Sequence, residues 1–212
     1  MTALPAQTAY RILARDYDAQ PNALLSLEER TLAPLLRDIG NQQVIDAAAG
    51  TGRWARFCRQ RGARTVAVDL CPEMLAHAKN PSVVADINRL PLNDGCADIT
   101  ICAFAIGYAP KCLEELCRIT RHGGVVLASD VHPDAIRRGW TRTFRSGGEI
   151  VEVAHQPYTL DDLKVPGLEL SLLLEPCLGP PERELFEHLG RVHRFEEAAS
   201  GPAIFVARFV RT

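Results

Sequence analysis

The stretch Val44-Ile-Asp-Ala-Ala-Ala-Gly-Thr-Gly52 constrains this chain more than any other. Val44 and Ile45 open an apolar run that reads as a buried strand. Asp46 stands where another apolar side chain is expected. Gly50 and Gly52 permit a tight turn with backbone angles that a Cβ penalises, and Arg53 to Arg61 follow a helical pattern. Strand, glycine turn and helix together leave free N–H groups at the helix start, aimed at whatever polar group docks there.

Two ligand classes suit such a turn. Gly50 to Ala55 matches the dinucleotide pattern G-x-G-x-x-A, and Asp69 lies near the spacing expected of a ribose partner. An NAD-dependent oxidoreductase is therefore one reading. A dinucleotide does not, however, need the carboxylate of Asp46, whose burial without a cationic partner is costly. S-adenosylmethionine carries an ammonium group, a ribose and an adenine, and so uses an acid, a glycine turn and a second acid together.

Residues 44–55 resemble the first motif of the class I S-adenosylmethionine-dependent methyltransferases, D-x-G-x-G-x-G, with Ala48 in place of the first glycine. Val66-Ala-Val-Asp69 resembles the second motif, and Ala85-Asp86-Ile87 followed by Leu90-Pro91 resembles the third. The likeness spans roughly residues 40–131. It implies that Tyr17, Asp46, Ala48, Gly50, Gly52, Asp69, Leu70, Met74, Asp86, Ile87 and Ala103 hold S-adenosylmethionine, with S-adenosylhomocysteine as the product. In that family pattern Asp69 takes the ribose hydroxyls, Leu70 and Met74 flank the adenine, Asp86 meets its amino group, and Tyr17 approaches the methionine end.

The rest of the pattern is expected to be an α/β fold: a doubly wound, mostly parallel seven-stranded sheet, helices on both faces, the last strand antiparallel. Strands are expected at 44–49, 65–69, 82–85, 97–103, 123–131, 168–174 and 203–210, with helices between them at 52–61, 73–79, 111–120 and 182–189. Before them, residues 6–17 read as a helix, and Ser26 with Glu29 reads as a capping box for another. Glycines 147 and 148 suggest a hairpin. One domain of 212 residues is expected: a helical lid over 1–40, a cofactor core over 41–131 and a substrate-side segment over 132–212.

Arg137, Arg138, Arg142 and Arg145 fall near Trp140 and Phe144, with no acid between Asp134 and Glu149. Such a run is either a solvated face or a pocket wall for an anionic or aromatic small-molecule acceptor. For an O- or C-methylation needing proton removal, His132 and His155 are the candidate bases, with Tyr158 as a hydrogen-bond partner. The net charge of −2 disfavours nucleic acid as the main partner, although the arginines keep an RNA or protein methyltransferase open, as well as a non-catalytic cofactor-binding protein. Seven cysteines without a C-x-x-C pair point to a reducing, cytoplasmic compartment and to no metal site, and no apolar run is long enough to span a membrane.

Overall fold

Strand and helix alternate along the middle of the chain because short apolar runs alternate with amphipathic ones. In the computed structural model, which describes residues 3–79, 81–109 and 111–212, helices α1 (Ala6–Leu13) and α2 (Ala23–Leu32) lead into β1 (Gln43–Ala47). There follow α3 (Arg53–Arg59), β2 (Arg64–Asp69), α4 (Pro72–Leu75), β3 (Ser82–Val84), β4 (Ala97–Ala103), α5 (Cys112–Ile119) and β5 (Thr120–Val131). Beyond these lie α6 (Pro133–Arg137), the hairpin β6 (Thr143–Ser146) and β7 (Glu149–Glu152), then β8 (Leu168–Leu174), α7 (Pro180–His188), α8 (Phe195–Ala198) and β9 (Ile204–Arg211).

Seven strands form one sheet in the order β3-β2-β1-β4-β5-β9-β8, and β6 pairs only with β7. Strands β1 to β5 pair in parallel, while β9 runs antiparallel between β5 and β8. Successive strand residues feed opposite faces. Val44, Ile99, Ile101 and Leu127 pack with Leu27, Leu32 and Trp54. Ile45, Cys102, Val126 and Ala128 pack with Leu113, Leu116 and Ile119 of α5. Because both faces are covered, the strands are apolar throughout rather than alternating.

The strand order reverses at β1, with β2 on one side and β4 on the other. Connections leave that point in opposite directions, which opens a crevice at the carboxyl ends of the strands. Asp46, Asp69, Asp86 and Ala103 all lie at or just beyond those ends.

Four local expectations need correction. Helix α1 stops at Leu13, and Tyr17 instead begins a 3-10 turn, Tyr17–Ala19. The cap of α2 is Asn22, whose Oδ1 accepts from the Leu24 and Leu25 amides at 2.9 and 3.3 Å. Ser26 lies one turn inside and donates to Glu182 at 2.9 Å. Helix α4 is a single turn, Pro72–Leu75, rather than 73–79. Helix α7 starts two residues earlier than its apolar pattern suggests, because prolines suit a helix's first positions. Among the described residues no helix is long and apolar enough to cross a membrane.

Candidate active site

The turn after β1 holds three left-handed residues: Ala48 at φ 57°, Gly50 at 55° and Gly52 at 74°. At Gly50 the left-handed backbone disfavours a side chain, and its Cβ would crowd Met74 Cε at 3.1 Å. Ala48 adopts the left-handed conformation despite its Cβ, at a cost of about 1–2 kcal/mol. Gly52 caps α3 and donates to the Ala49 carbonyl at 2.8 Å.

Three strand-end acids surround this turn, each fixed differently. Asp69 Oδ2 accepts from the Gly50 amide and Oδ1 from the Cys71 amide, both at 2.8 Å. One carboxylate thus ties the β1 turn to the start of α4. Asp86 is exposed and bonds Asn88 through a single oxygen, Oδ1, at 2.9 Å from both its amide and its side chain. Asp46 is 1% exposed, and its Oδ2 accepts from Ala55, an orphan amide of the first turn of α3, at 2.7 Å. Burial pushes the Asp46 carboxyl up to about 7; the Ala55 amide and Arg53 pull it back, and Asp69 and Glu28 push it further.

Glu28 of α2 is wholly buried and is the deeper partner in this charge set. It accepts from Arg53 Nη2 at 2.5 Å, Trp54 Nε1 at 3.1 Å and Ser129 Oγ at 2.9 Å. Burial raises the Glu28 carboxyl, against the pull of Arg53, Ser129 and Trp54. Arg53 Nη1 has no hydrogen-bond partner. Arg53 pairs with Glu28 at 2.5 Å and with Glu29 at 3.6 Å and also acts on Asp46, while Asp69 adds a further negative neighbour to Asp46, so the cluster carries an excess of acid.

A cavity of about 290 Å³ opens over this cluster. It is lined by Tyr17, Asp46, Ala48, Gly50, Asp69, Leu70, Met74, Asp86, Ile87 and Ala103. Of the sequence-derived cofactor residues only Gly52 does not line it: Gly52 shapes the turn from behind. Arg53, Phe104, Tyr108 and Asn88 also line the cavity without having been singled out in the sequence as cofactor residues, and so does Tyr10, which lies on the apolar stripe of the expected N-terminal lid. Arg53 follows Gly52 directly, so its place was open to inference. The others come from segments whose approach depends on tertiary packing.

Several hydrogen bonds hold the N-terminal segment, two of them beside this cavity. Thr51 Oγ1 donates to Asp18 at 2.8 Å, pinning the 3-10 turn to the glycine turn. The hydroxyls of Tyr10 and Tyr108 lie 3.1 Å apart. Arg142 stacks 4.6 Å over the Tyr108 ring, donates to the Phe104 carbonyl at 3.1 Å and pairs with the fully buried Asp130.

A second cavity, about 320 Å³, adjoins the first. Tyr10, Tyr17, Leu25 and Phe104 line both and form a collar between them. Its other walls include Trp140, Phe144, Leu185 and Phe186, with Arg142, Arg191 and His155 as the charged or titratable members.

The two candidate bases part company here. His155 lines the second cavity. His132 is 2% exposed and lines neither cavity; its Nδ1 accepts from the Asp134 amide at 3.0 Å and its Nε2 lies 2.8 Å from Glu175. It caps α6, with both nitrogens engaged away from the two cavities. Tyr158 is no partner of His155, since its hydroxyl donates to the Val131 carbonyl. The arginine run also disperses. Arg137 pairs with Asp134 and Arg138 donates to Pro202, and of the four only Arg142 lines the second cavity.

With that geometry in view, comparison with known proteins is informative. Residues 45–128 match the family model of a methyltransferase domain. Over those residues the chain is thus similar to methyltransferase domains. It has relatives among malonyl-[acyl-carrier protein] O-methyltransferases. That of Pectobacterium atrosepticum is 37% identical over 61% of this chain and 58% of its own length. That of Serratia marcescens is 35% identical over 58% of this chain and 51% of its own. The chain thus spans about half the length of the curated relatives it matches. A solved S-adenosylmethionine-dependent methyltransferase from Mesorhizobium loti shares the fold, with a TM-score of 0.68 at 17% identity over 87% of this chain and 97% of that one.

Proposed function

We propose that this protein transfers the methyl group of S-adenosylmethionine to an oxygen of a small-molecule acceptor. The observation that carries this reading is the pair of adjoining cavities, one rich in strand-end acids, the other largely apolar, meeting at a shared aromatic collar. The choice of oxygen draws on the relatives, which are named as O-methyltransferases. In this reading residues 1–40 act as lid, 41–131 hold the cofactor and 132–212 face the acceptor.

The first cavity fits the cofactor on chemical grounds. Asp46 is a buried acid that lacks a full positive partner, and the cluster's excess of acid suits an ammonium or sulfonium charge. When bound, S-adenosylmethionine supplies a methyl group already activated by positive sulfur. Asp46 would pair with the ammonium, Arg53 would face the carboxylate, Asp69 would hold the ribose hydroxyls, and Asp86 would accept from the adenine amino group. Met74, Ile87 and Leu70 would flank the base. Tyr10, Tyr17 and Phe104 would exclude water at the collar, so the chain mainly aligns two reactants at ~3–3.5 Å. A carboxylate acceptor needs no proton removed. For a hydroxyl acceptor, His155 is the imidazole placed to take the proton, and His155→Ala would lower turnover while sparing cofactor affinity.

Calorimetry with S-adenosylhomocysteine tests the reading. Asp69→Ala should weaken binding by about 1.5–3 kcal/mol, the loss expected of hydrogen bonds to a charged group. Equal affinity in the variant and the parent would remove the ribose assignment.

A further inference from the structure

The two cavities differ in charge as well as in polarity. Three aspartates line the first, Asp46, Asp69 and Asp86. No aspartate or glutamate is among the described residues that line the second, whereas Arg142, Arg191 and His155 are. The two arginines are not equivalent. Arg142 is matched by the buried carboxylate of Asp130, and together they form a neutral pair behind the wall. Arg191 is exposed and pairs with no carboxylate among the described residues. The unmatched positive charge of the second cavity therefore sits on Arg191.

The apolar wall points the same way. Leu185, Phe186 and Leu189 of the α7 segment, which precede Arg191, line this cavity, Phe186 while also packing against Phe195 of the core. Leu189 is 47% exposed. With Trp140 and Phe144 they give a surface able to bury a hydrocarbon body.

We infer that the second cavity selects an amphipathic organic anion: its carboxylate or similar group is anchored by Arg191, its apolar body lies along Trp140, Phe144 and Phe186, and its reacting end reaches the Tyr10–Tyr17–Phe104 collar. This rests on the proposed function for its account of the collar, but the binding claim stands on the second cavity alone. A guanidinium suits the task because it is weakly hydrated and forks onto a carboxylate while its neighbours remain apolar.

The test is calorimetric titration of the full chain, with S-adenosylhomocysteine present and absent. The probes are octanoate, 3-phenylpropanoate and naphthalene-2-carboxylate, each beside its uncharged amide. At least one acid should bind about tenfold more tightly than its amide, as expected for one charge-assisted pair. Arg191→Ala and Arg191→Glu should erase that preference without altering affinity for S-adenosylhomocysteine. Arg208→Ala, a surface change bonded only to Ser171, should leave it intact. Amides binding as well as acids, or a preference that survives both Arg191 substitutions, overturns the inference, as does failure of every acid to bind. A chain that takes the acids but not S-adenosylhomocysteine overturns the proposed function and leaves this inference standing. The reverse pattern leaves the proposed function and removes the inference.

Discussion

Asp46 concentrates the electrostatic tension of the site in one side chain. Its carboxyl is raised to about 7 in the fold, from an unfolded value of about 3.9. A carboxyl raised by folding contributes stability that is fully present below pH ~4 and lost as pH climbs through ~7. Asp46→Asn, which keeps an oxygen for the Ala55 amide, should therefore gain stability relative to the parent as pH rises from ~4 to ~8, by up to a few kcal/mol in urea unfolding. A bound ammonium would pull the carboxyl back down, so binding of S-adenosylhomocysteine near pH 6 should release a proton. Titrations in buffers of different ionisation enthalpy would count it, and the asparagine variant should release none. Ala48 poses the opposite case, strain without charge. Ala48→Gly should stabilise the chain by about 0.5–1 kcal/mol, the left-handed penalty less the entropy of an added glycine; a lower melting temperature would show that the turn needs the methyl group. Both residues were legible in the sequence because the motif places them by chain distance alone. Glu28 was not. It looks like any acid in an amphipathic helix, and only the packing of α2 against Trp54 makes it buried.

At the scale of elements, the first cavity draws largely on segments contiguous in sequence, and the second does not. The β1 turn, α3 and the β2 terminus are joined by local connections, so the motif resemblance was enough to group Asp46, Gly50 and Asp69, which line one cavity. The collar draws Tyr10 from α1, Leu25 from α2 and Phe104 from beyond β4, which no spacing rule joins. The same reason undid His132: a His-Pro pair after a strand reads equally as a base or as a helix cap, and the Asp134 amide decides for the cap. The N-terminal segment is tied down by the Thr51–Asp18 bond and the tyrosine pair, and also by Gln20 on the Arg145 carbonyl and by Leu4, whose amide donates to Glu152 and whose carbonyl accepts from Ala154. Asp18→Ala should loosen it by about 1 kcal/mol, seen as roughly fivefold faster amide exchange over residues 6–19. Addition of S-adenosylhomocysteine should slow that exchange again, since Tyr10 and Tyr17 line its cavity. Exchange indifferent to the ligand would mean that these residues are a fixed wall and not a lid.

Across the whole molecule, the open, mostly parallel sheet followed from alternation and connection length, whereas its strand order came only with the tertiary structure. So did what joins the sheet to the acceptor wall. Helix α7 is anchored to α2 by Glu182, a fully buried carboxylate that accepts from Gly179 at 2.8 Å, Ser26 at 2.9 Å and Arg30 Nη2 and Nε at 3.0 and 3.1 Å. Burial alone would raise the Glu182 carboxyl, but Arg30, the Gly179 amide and Ser26 together outweigh it and hold it below the usual range. The sign is thus opposite to that of Asp46: this stability is present above an unfolded pKa of about 4.3 and is lost as pH falls below it. Arg30 is 43% exposed, so solvent screens the pair, and Arg30→Ala should cost about 1–2 kcal/mol at pH 7 in chemical denaturation. The difference between variant and parent should shrink as pH falls, once the carboxyl takes up a proton in the parent as well as in the variant. Because α7 carries Leu185 and Phe186 of the second cavity and none of the first, the same substitution should weaken binding of an acceptor probe while leaving S-adenosylhomocysteine affinity within about twofold. Equal losses at both cavities would instead mean that the anchor supports the fold at large and has no particular bearing on the acceptor wall.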